Sequence, residues 1–234
     1  MTRRILVLAG MTLLLGFFSL AWVSLGSEPA PPVHFAVASV HLEQNATDGD
    51  VEVVFEVKGG HEGLAKLTVL SPDGRTVIDF TAPDASTLGL RQFRFESPEP
   101  KDVQSLKSAY PEGRYTFIGA TATGDKLHGE STLSHKLPAT TSFLHPKTDA
   151  QGVGAKNLVI TWTPVENLAA YIIYIEQDEL DVNITAKLPG STARFVVPDG
   201  FLFPGTEYQL GIGTVMDEGN ASFVETTFTT AGKE

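Results

Sequence analysis

The chain has 234 residues, with 17 Lys and Arg against 28 Asp and Glu, a formal net charge of −11, and no cysteine. An acidic surface repels phosphate backbones and anionic headgroups, and no basic run reverses the sign locally, so nucleic acid is set aside as a partner. Without cysteine there is no thiol catalysis, thiolate metal site or disulfide support, and each folded unit must be held by its own core.

Residues 1–26 read as a secretory signal or a membrane anchor. Arg3 and Arg4 precede Ile5 to Leu25, a run of 21 residues without a charged side chain, and the run ends among small residues, which is the secretory pattern. Ser19-Leu20-Ala21 and Ser24-Leu25-Gly26 both satisfy the cleavage rule. The same run meets the roughly 20 apolar residues a bilayer core requires, with the arginines holding its N-terminus inside. A single-pass anchor, with membrane attachment through residues 5–25 if uncleaved, is therefore the alternative. No cysteine lies near the cleavage region, so a lipid-anchored lipoprotein is excluded. The expected location is secreted, periplasmic or cell-surface. Cutting after Gly26 leaves 15 basic against 28 acidic residues, a balance of −13. Residues 27–32, with Pro29, Pro31 and Pro32, form an extended tether because proline fixes φ and biases the residue before it.

About 205 residues then remain, enough for two domains of about 100 each. Residues 33–137 read as strands. Val51 to Val57 alternates Val51, Val53, Phe55 and Val57 against Glu52, Val54 and Glu56. Leu64 to Leu70 and Arg75 to Phe80 flank the turn Ser71-Pro72-Asp73-Gly74. Leu90 to Phe95 alternates again, and Gly113 to Ala122 and Lys126 to Ser134 flank a second hairpin at Thr123-Gly124-Asp125. Lys101 to Ala109 is the one helical stretch, of one or two turns. This half generally resembles the Ig-like modules of bacterial surface proteins.

After Pro138 the period-two runs continue. Asn157 to Val165 places Leu158, Ile160 and Trp162 on one face, and Ala170 to Glu176 places Tyr171, Ile173 and Ile175 on one face. Val182 to Leu188 is weaker, and Thr192 to Val197 carries Phe195 and Val197. Thr206 to Met216 groups Tyr208, Leu210, Ile212 and Thr214. Ala221 to Thr230 closes the series with Phe223 and Phe228, and a first strand near Ser142-Phe143-Leu144 makes seven. Trp162 in the second strand, Tyr171 opening the third, and Leu202-Phe203-Pro204-Gly205-Thr206-Glu207-Tyr208 before the sixth resemble a fibronectin type III domain over residues 139–230. That resemblance implies a tyrosine corner, with the Tyr208 hydroxyl bonded to upstream backbone, and Leu202 beneath it. Trp162 and Tyr208 are then core anchors. Gly211 and Gly213 depart from the pattern. The expectation is an all-β chain of two tandem β-sandwich domains, residues 33–137 Ig-like and 138–234 fibronectin type III-like, unlike each other and joined near Leu137-Pro138-Ala139-Thr140.

Chemistry-bearing patterns are sparse. Of His34, His41, His61, His128, His135 and His145, the pair His128 and His135 is seven apart, which on one strand points them to opposite faces. The acidic groups Asp48-Gly49-Asp50, Asp178-Glu179-Asp181 and Asp217-Glu218 read as solvated turns, since no one loop supplies the six or more oxygens Ca²⁺ takes. There is no phosphate-binding glycine loop and no G-x-S-x-G elbow. No catalytic, cofactor-binding or metal residue is therefore assigned, no cofactor is expected, and the protein is not expected to be an enzyme. Asn45-Ala46-Thr47, Asn183-Ile184-Thr185 and Asn220-Ala221-Ser222 match the N-glycosylation pattern.

The function expected is non-catalytic: an exported binding, adhesion or spacer protein recognising a protein or an envelope or matrix component through sandwich loops or a sheet face. The alternatives are a carbohydrate-binding accessory module, for which Tyr110 and Tyr174 are the candidate stacking residues, and a hydrolase with its site in the N-terminal domain, marked by a pocket joining His61 or His128 to a carboxylate.

Overall fold

The computed structural model describes residues 33–82 and 90–232. The signal or anchor segment and the tether, residues 1–32, lie outside the described residues.

In the N-terminal half the elements run β1 (Val33–His34), β2 (Val37–Asn45), β3 (Asp50–Lys58), β4 (Leu64–Leu70), β5 (Thr76–Thr81), β6 (Gln92–Glu96), α1 (Val103–Ala109), β7 (Gly113–Thr121) and β8 (Lys126–Leu133). The alternation of β3 is realised: Val51, Val53, Phe55 and Val57 enter the core beside Tyr115 and Phe117. The β4–β5 hairpin closes through the Gly74 N–H donating to the Ser71 carbonyl at 2.9 Å. The helix starts later than expected because Asp102 is its N-cap, its carboxylate accepting from the Ser105 N–H at 2.7 Å. β1 and β2 precede Val51 to Val57, the first strand that alternation in the sequence marks.

The C-terminal half runs β9 (Phe143–His145), β10 (Ala150–Val153), β11 (Val159–Trp162), β12 (Ala170–Gln177), β13 (Val182–Pro189), β14 (Arg194–Val196), β15 (Glu207–Val215) and β16 (Ala221–Thr230). The seven expected strands are present, and β10 is an addition that pairs parallel with β16. Trp162 is 1 % exposed and Tyr171 and Tyr208 are fully buried. Tyr208 stacks on Phe228 with ring centroids 5.6 Å apart. The corner forms as the resemblance implied, with the Phe203 N–H donating to Tyr208 Oη at 2.8 Å. Phe228 is in the core, but Phe223, an odd number of positions away, lies on the opposite face with Ile172 and Ala221.

The two halves turn out to share one strand order. In the second, β14-β11-β9 lies opposite β13-β12-β15-β16; in the first, β6-β3-β2 lies opposite β5-β4-β7-β8, with β1 added beside β8. Tyr115 near the start of β7 stands where Tyr208 stands in β15, and its hydroxyl donates to the Pro111 carbonyl four residues upstream at 3.1 Å. The expectation of two unlike sandwiches is therefore corrected. The likeness was hidden because Phe55, not a tryptophan, fills the centre of the first core, meeting Tyr110, Tyr115 and Phe117 at 5.8–6.5 Å.

The halves are joined edge to edge. β16 pairs in parallel with β2 over Ala221↔Glu43, Ser222↔Gln44 and Phe223↔Asn45, so one sheet of eight strands runs β13-β12-β15-β16-β2-β3-β6, with β10 also on β16. Asn220, 2 % exposed, locks the seam. Its Oδ1 accepts from the Leu42 N–H, and its Nδ2 donates to the Ser134 and Lys136 carbonyls of the connecting segment, each at 2.8 Å. Ser222 Oγ donates to the Pro138 carbonyl at 2.8 Å and accepts from Gln44 Nε2 at 2.9 Å.

Candidate binding face

The parallel seam aligns the outward sides of both sandwiches into one face. β3 presents Asp50, Glu52 and Glu56, because its odd positions are taken by the core. β2 presents His41 and Glu43, β6 presents Arg94 and Glu96, β12 presents Ile172 and Tyr174, and β16 presents Phe223 and Glu225.

On the β12–β15–β16 side the two unusual glycines acquire a reason. Tyr174 sits opposite Gly211 and Phe223 opposite Gly213. A Cβ at Gly211 would lie 2.1 Å from the Tyr174 ring, and one at Gly213 would lie 2.4 Å from the Phe223 ring. The missing side chains let both aromatic rings lie down across β15. Tyr174 Oη donates to Glu225 Oε1, and burial, then that carboxylate, push the phenol well above its ordinary value.

On the β2–β3–β6 side the charges crowd. Glu43 and Glu52 are direct cross-strand partners, an arrangement that is destabilising when both are ionised. Arg94 answers Glu43 and not Glu52: its Nη2 donates to Glu43 Oε2 at 2.8 Å and its Nε to Glu96 Oε1 at 2.6 Å, with Glu56 at 3.5 Å. His41 Nε2 donates to Glu43 Oε1 at 2.8 Å. Burial alone would raise the Glu43 carboxyl, but the hydrogen bonds from His41 and Arg94 outweigh it and hold the group below its ordinary value. Glu52 goes the other way, pushed up to about 7 by desolvation and then by Glu96, Glu43 and Asp50. Desolvation disfavours the Arg94 charge, yet Glu43 and Glu96 overcome it and raise its pKa.

Between the two sides lies a cleft of about 270 Å³ lined by Glu43, Asp50, Glu52, Tyr174, Phe223 and Glu225 among others. Asp50 Oδ1 is closed off from solvent and accepts no hydrogen bond among the described residues. The cleft therefore concentrates carboxylates beside half-buried rings, an arrangement suited to a cation with an apolar stem.

The residues singled out in the sequence are dispersed. His128 lies in β8, while His135 lies beyond it with Nε2 2.8 Å from the Tyr110 carbonyl. Asp178–Asp181 joins β12 to β13 and Asp217–Glu218 joins β15 to β16; the register Glu176↔Gln209 and Ala170↔Val215 puts them at opposite ends of the sheet. Asp48 is tied into its own turn, accepting from the Asp50 N–H at 2.9 Å and from Asn45 Nδ2 at 3.1 Å. A separate hollow of about 280 Å³ brings His34 and His61 near Glu62 and Asp125, but Glu62 is engaged by the Thr123 hydroxyl. Tyr110 packs against Phe55 and Tyr174 lies over Gly211, so neither ring stands free as a stacking platform. The sequence does not mark Glu43, Arg94, Phe223 and Glu225 as site residues, because their period-two positions define a shared outward face only once β16 meets β2.

No protein-family model matches the sequence, and no curated protein does. Among solved structures, the fibronectin(III)-like modules of Clostridium thermocellum CbhA are similar at 12 % identity and a TM-score of 0.36, covering 84 % of this chain and 92 % of that one. The FN1–FN3 domains of chicken CNTN1 are similar at 14 % identity and a TM-score of 0.32, covering 87 % and 67 %. A two-domain fibronectin type III segment of chicken tenascin is similar at 14 % identity and a TM-score of 0.31, covering 85 % and 100 %. What assigns residues 139–230 a fibronectin type III-like sandwich is their own strand order, with Trp162 and Tyr208 in the core and the corner bond from Phe203.

Proposed function

We propose that the chain is an exported, non-catalytic binding module that docks a basic segment of a partner protein on the outer face of its eight-stranded sheet. The observation that carries this reading is the cleft at the seam, where Glu43, Asp50, Glu52 and Glu225 converge beside Tyr174 and Phe223 and Arg94 is already committed to Glu43 and Glu96. A lysine or arginine of the partner supplies the missing counter-charge, its methylenes lying along the two rings. The acidic balance of the whole chain steers such a partner from a distance and makes its capture sensitive to salt. The edge-to-edge seam keeps the two sandwiches in a fixed relation, so the same chain also serves as a stiff spacer that presents the face.

The test is titration calorimetry with a lysine-rich peptide and a glutamate-rich peptide of equal length, at low and at high salt. The lysine-rich peptide is expected to bind at low salt, to weaken several-fold at high salt, and to weaken again in Glu52→Gln/Glu225→Gln. Equal heats from both peptides, or an unchanged affinity in the double variant, refute the reading.

A further inference from the structure

The three sequence matches to the N-glycosylation pattern are not equivalent in the fold. Asn220 is buried in the seam, its Nδ2 donating to the Ser134 and Lys136 carbonyls and its Oδ1 accepting from the Leu42 N–H. A sugar there would separate the sandwiches. Asn45 is half-buried at the end of β2, where its Nδ2 donates to Asp48 Oδ2 and its Oδ1 accepts from the Thr47 N–H at 3.0 Å. Asn183 differs on every count. It is exposed, it has no side-chain hydrogen bond among the described residues, and it lies just past the exposed turn Asp178–Asp181, with Thr185 of the same pattern exposed on the same side of the strand.

The strand that carries it has a second peculiarity. β13 is the outermost strand of the eight-stranded sheet and pairs with β12 through eight consecutive residue pairs without a bulge. Among the described residues no strand pairs with its other edge, and natural sheets guard such edges with charges, proline, bulges or coverings. From Val182 to Leu188 β13 has one charged residue, Lys187, and no proline before Pro189 at its end. The strand at the far end of the sheet is guarded by contrast, β6 holding Arg94 and Glu96 in an ion pair.

We propose that Asn183 is the acceptor of an N-linked oligosaccharide and that this sugar is the guard of the β13 edge. The inference rests on the export reading, since the modification belongs to exported chains. In the transfer, Asn183 Nδ2 bonds to the anomeric carbon of an oligosaccharide carried on a lipid pyrophosphate, the bond from that carbon to phosphate breaks, the lipid pyrophosphate leaves, and the amide gives up one proton. Thr185, two residues on, places the hydroxyl the pattern requires.

The experiment expresses the full chain in a eukaryotic secretory host that has an oligosaccharyltransferase, once with its own first 26 residues and once with a host signal in their place. Intact mass and glycosidase sensitivity are read on the secreted protein, alongside Asn45→Gln, Asn183→Gln and Thr185→Ala. One glycan is expected, retained in Asn45→Gln and lost in both Asn183→Gln and Thr185→Ala. The unglycosylated chains are expected to sediment as larger species than the glycosylated one at equal concentration. An unmodified secreted chain, a glycan that survives Asn183→Gln and Thr185→Ala, or identical sedimentation with and without the sugar overturns the proposal. Secretion with the host signal but not with the native one overturns the export reading instead, and the two failures are thereby told apart.

Discussion

Replacing Asn220 by alanine tests whether the two sandwiches are one mechanical unit. The side chain satisfies three backbone groups at 2.8 Å each, the Leu42 N–H of the first sandwich and the Ser134 and Lys136 carbonyls of the connector. A neutral hydrogen bond contributes about 1 kcal/mol net, and a buried group stripped of its partner costs about 1–3 kcal/mol; three such groups put the loss at about 3 kcal/mol for Asn220→Ala. Asn220→Asp sharpens the test, because a carboxylate still accepts from Leu42 but donates to neither carbonyl, so it is expected to lose most of the same stability. Guanidinium unfolding is followed by far-UV circular dichroism and by tryptophan fluorescence, Trp162 being the one tryptophan after residue 26. The two signals are expected to move together in the parent chain and to separate in Asn220→Ala, as the sandwiches melt independently. A loss under about 1 kcal/mol with coincident signals in the variant would refute a seam held by Asn220.

Tyr208→Phe leaves the Phe203 N–H without the hydroxyl 2.8 Å away and is expected to cost about 1–2 kcal/mol in the same unfolding assay. Gly211→Ala drives a methyl into the Tyr174 ring and is expected to destabilise by about 1–3 kcal/mol. In a double-mutant cycle Tyr174→Ala relieves most of that cost, and strict additivity would show that the ring does not rest on the glycine. Glu52, raised to about 7 from 4.5, keeps its proton in the folded chain where the unfolded chain has lost it, so it subtracts stability as pH climbs from about 4.5 through 7. Glu52→Gln is therefore expected to exceed the parent by about 1 kcal/mol at pH 8, a figure reduced for solvent screening, and to match it near pH 4; a difference independent of pH would rule the charge crowding out.

Most of the second sandwich was legible because its signals are local. Leu158, Ile160 and Trp162 obey period two, and so do Tyr208, Leu210 and Ile212, and their burial follows from alternation alone. The first sandwich yielded its hairpins for the same reason but not its kinship with the second. Kinship there resides in the pairing order and in the bond from Tyr115 to Pro111, and neither leaves a distinctive residue string. The binding face was illegible for a stronger reason. Glu52 and Glu43 meet across a hairpin, but Glu225 and Tyr174 join them only through the contact of β16 with β2, whose partners are separated by 178 residues. No window of sequence contains that contact.

β2 shows why the seam leaves no signal in the sequence. An ordinary edge strand has one buried side and one wet side, and alternation announces it. β2 sends Val40 and Leu42 into its own core, and His41, only 7 % exposed, is also closed in, its side chain lying against Gly219 across the seam, where a Cβ would meet its ring at 3.6–3.8 Å. A strand buried on both sides loses the period-two signal, and a polar residue on the second side disguises it further. His41 is tolerated there because Glu43, beside it on the same face, accepts from its Nε2, satisfying a polar group that burial would otherwise make costly. The same Glu43 also receives Arg94 and borders the cleft. One carboxylate thus serves the joint and the candidate binding face, and the charge of the cleft cannot be altered at Glu43 without also loosening the packing of His41 that closes the seam.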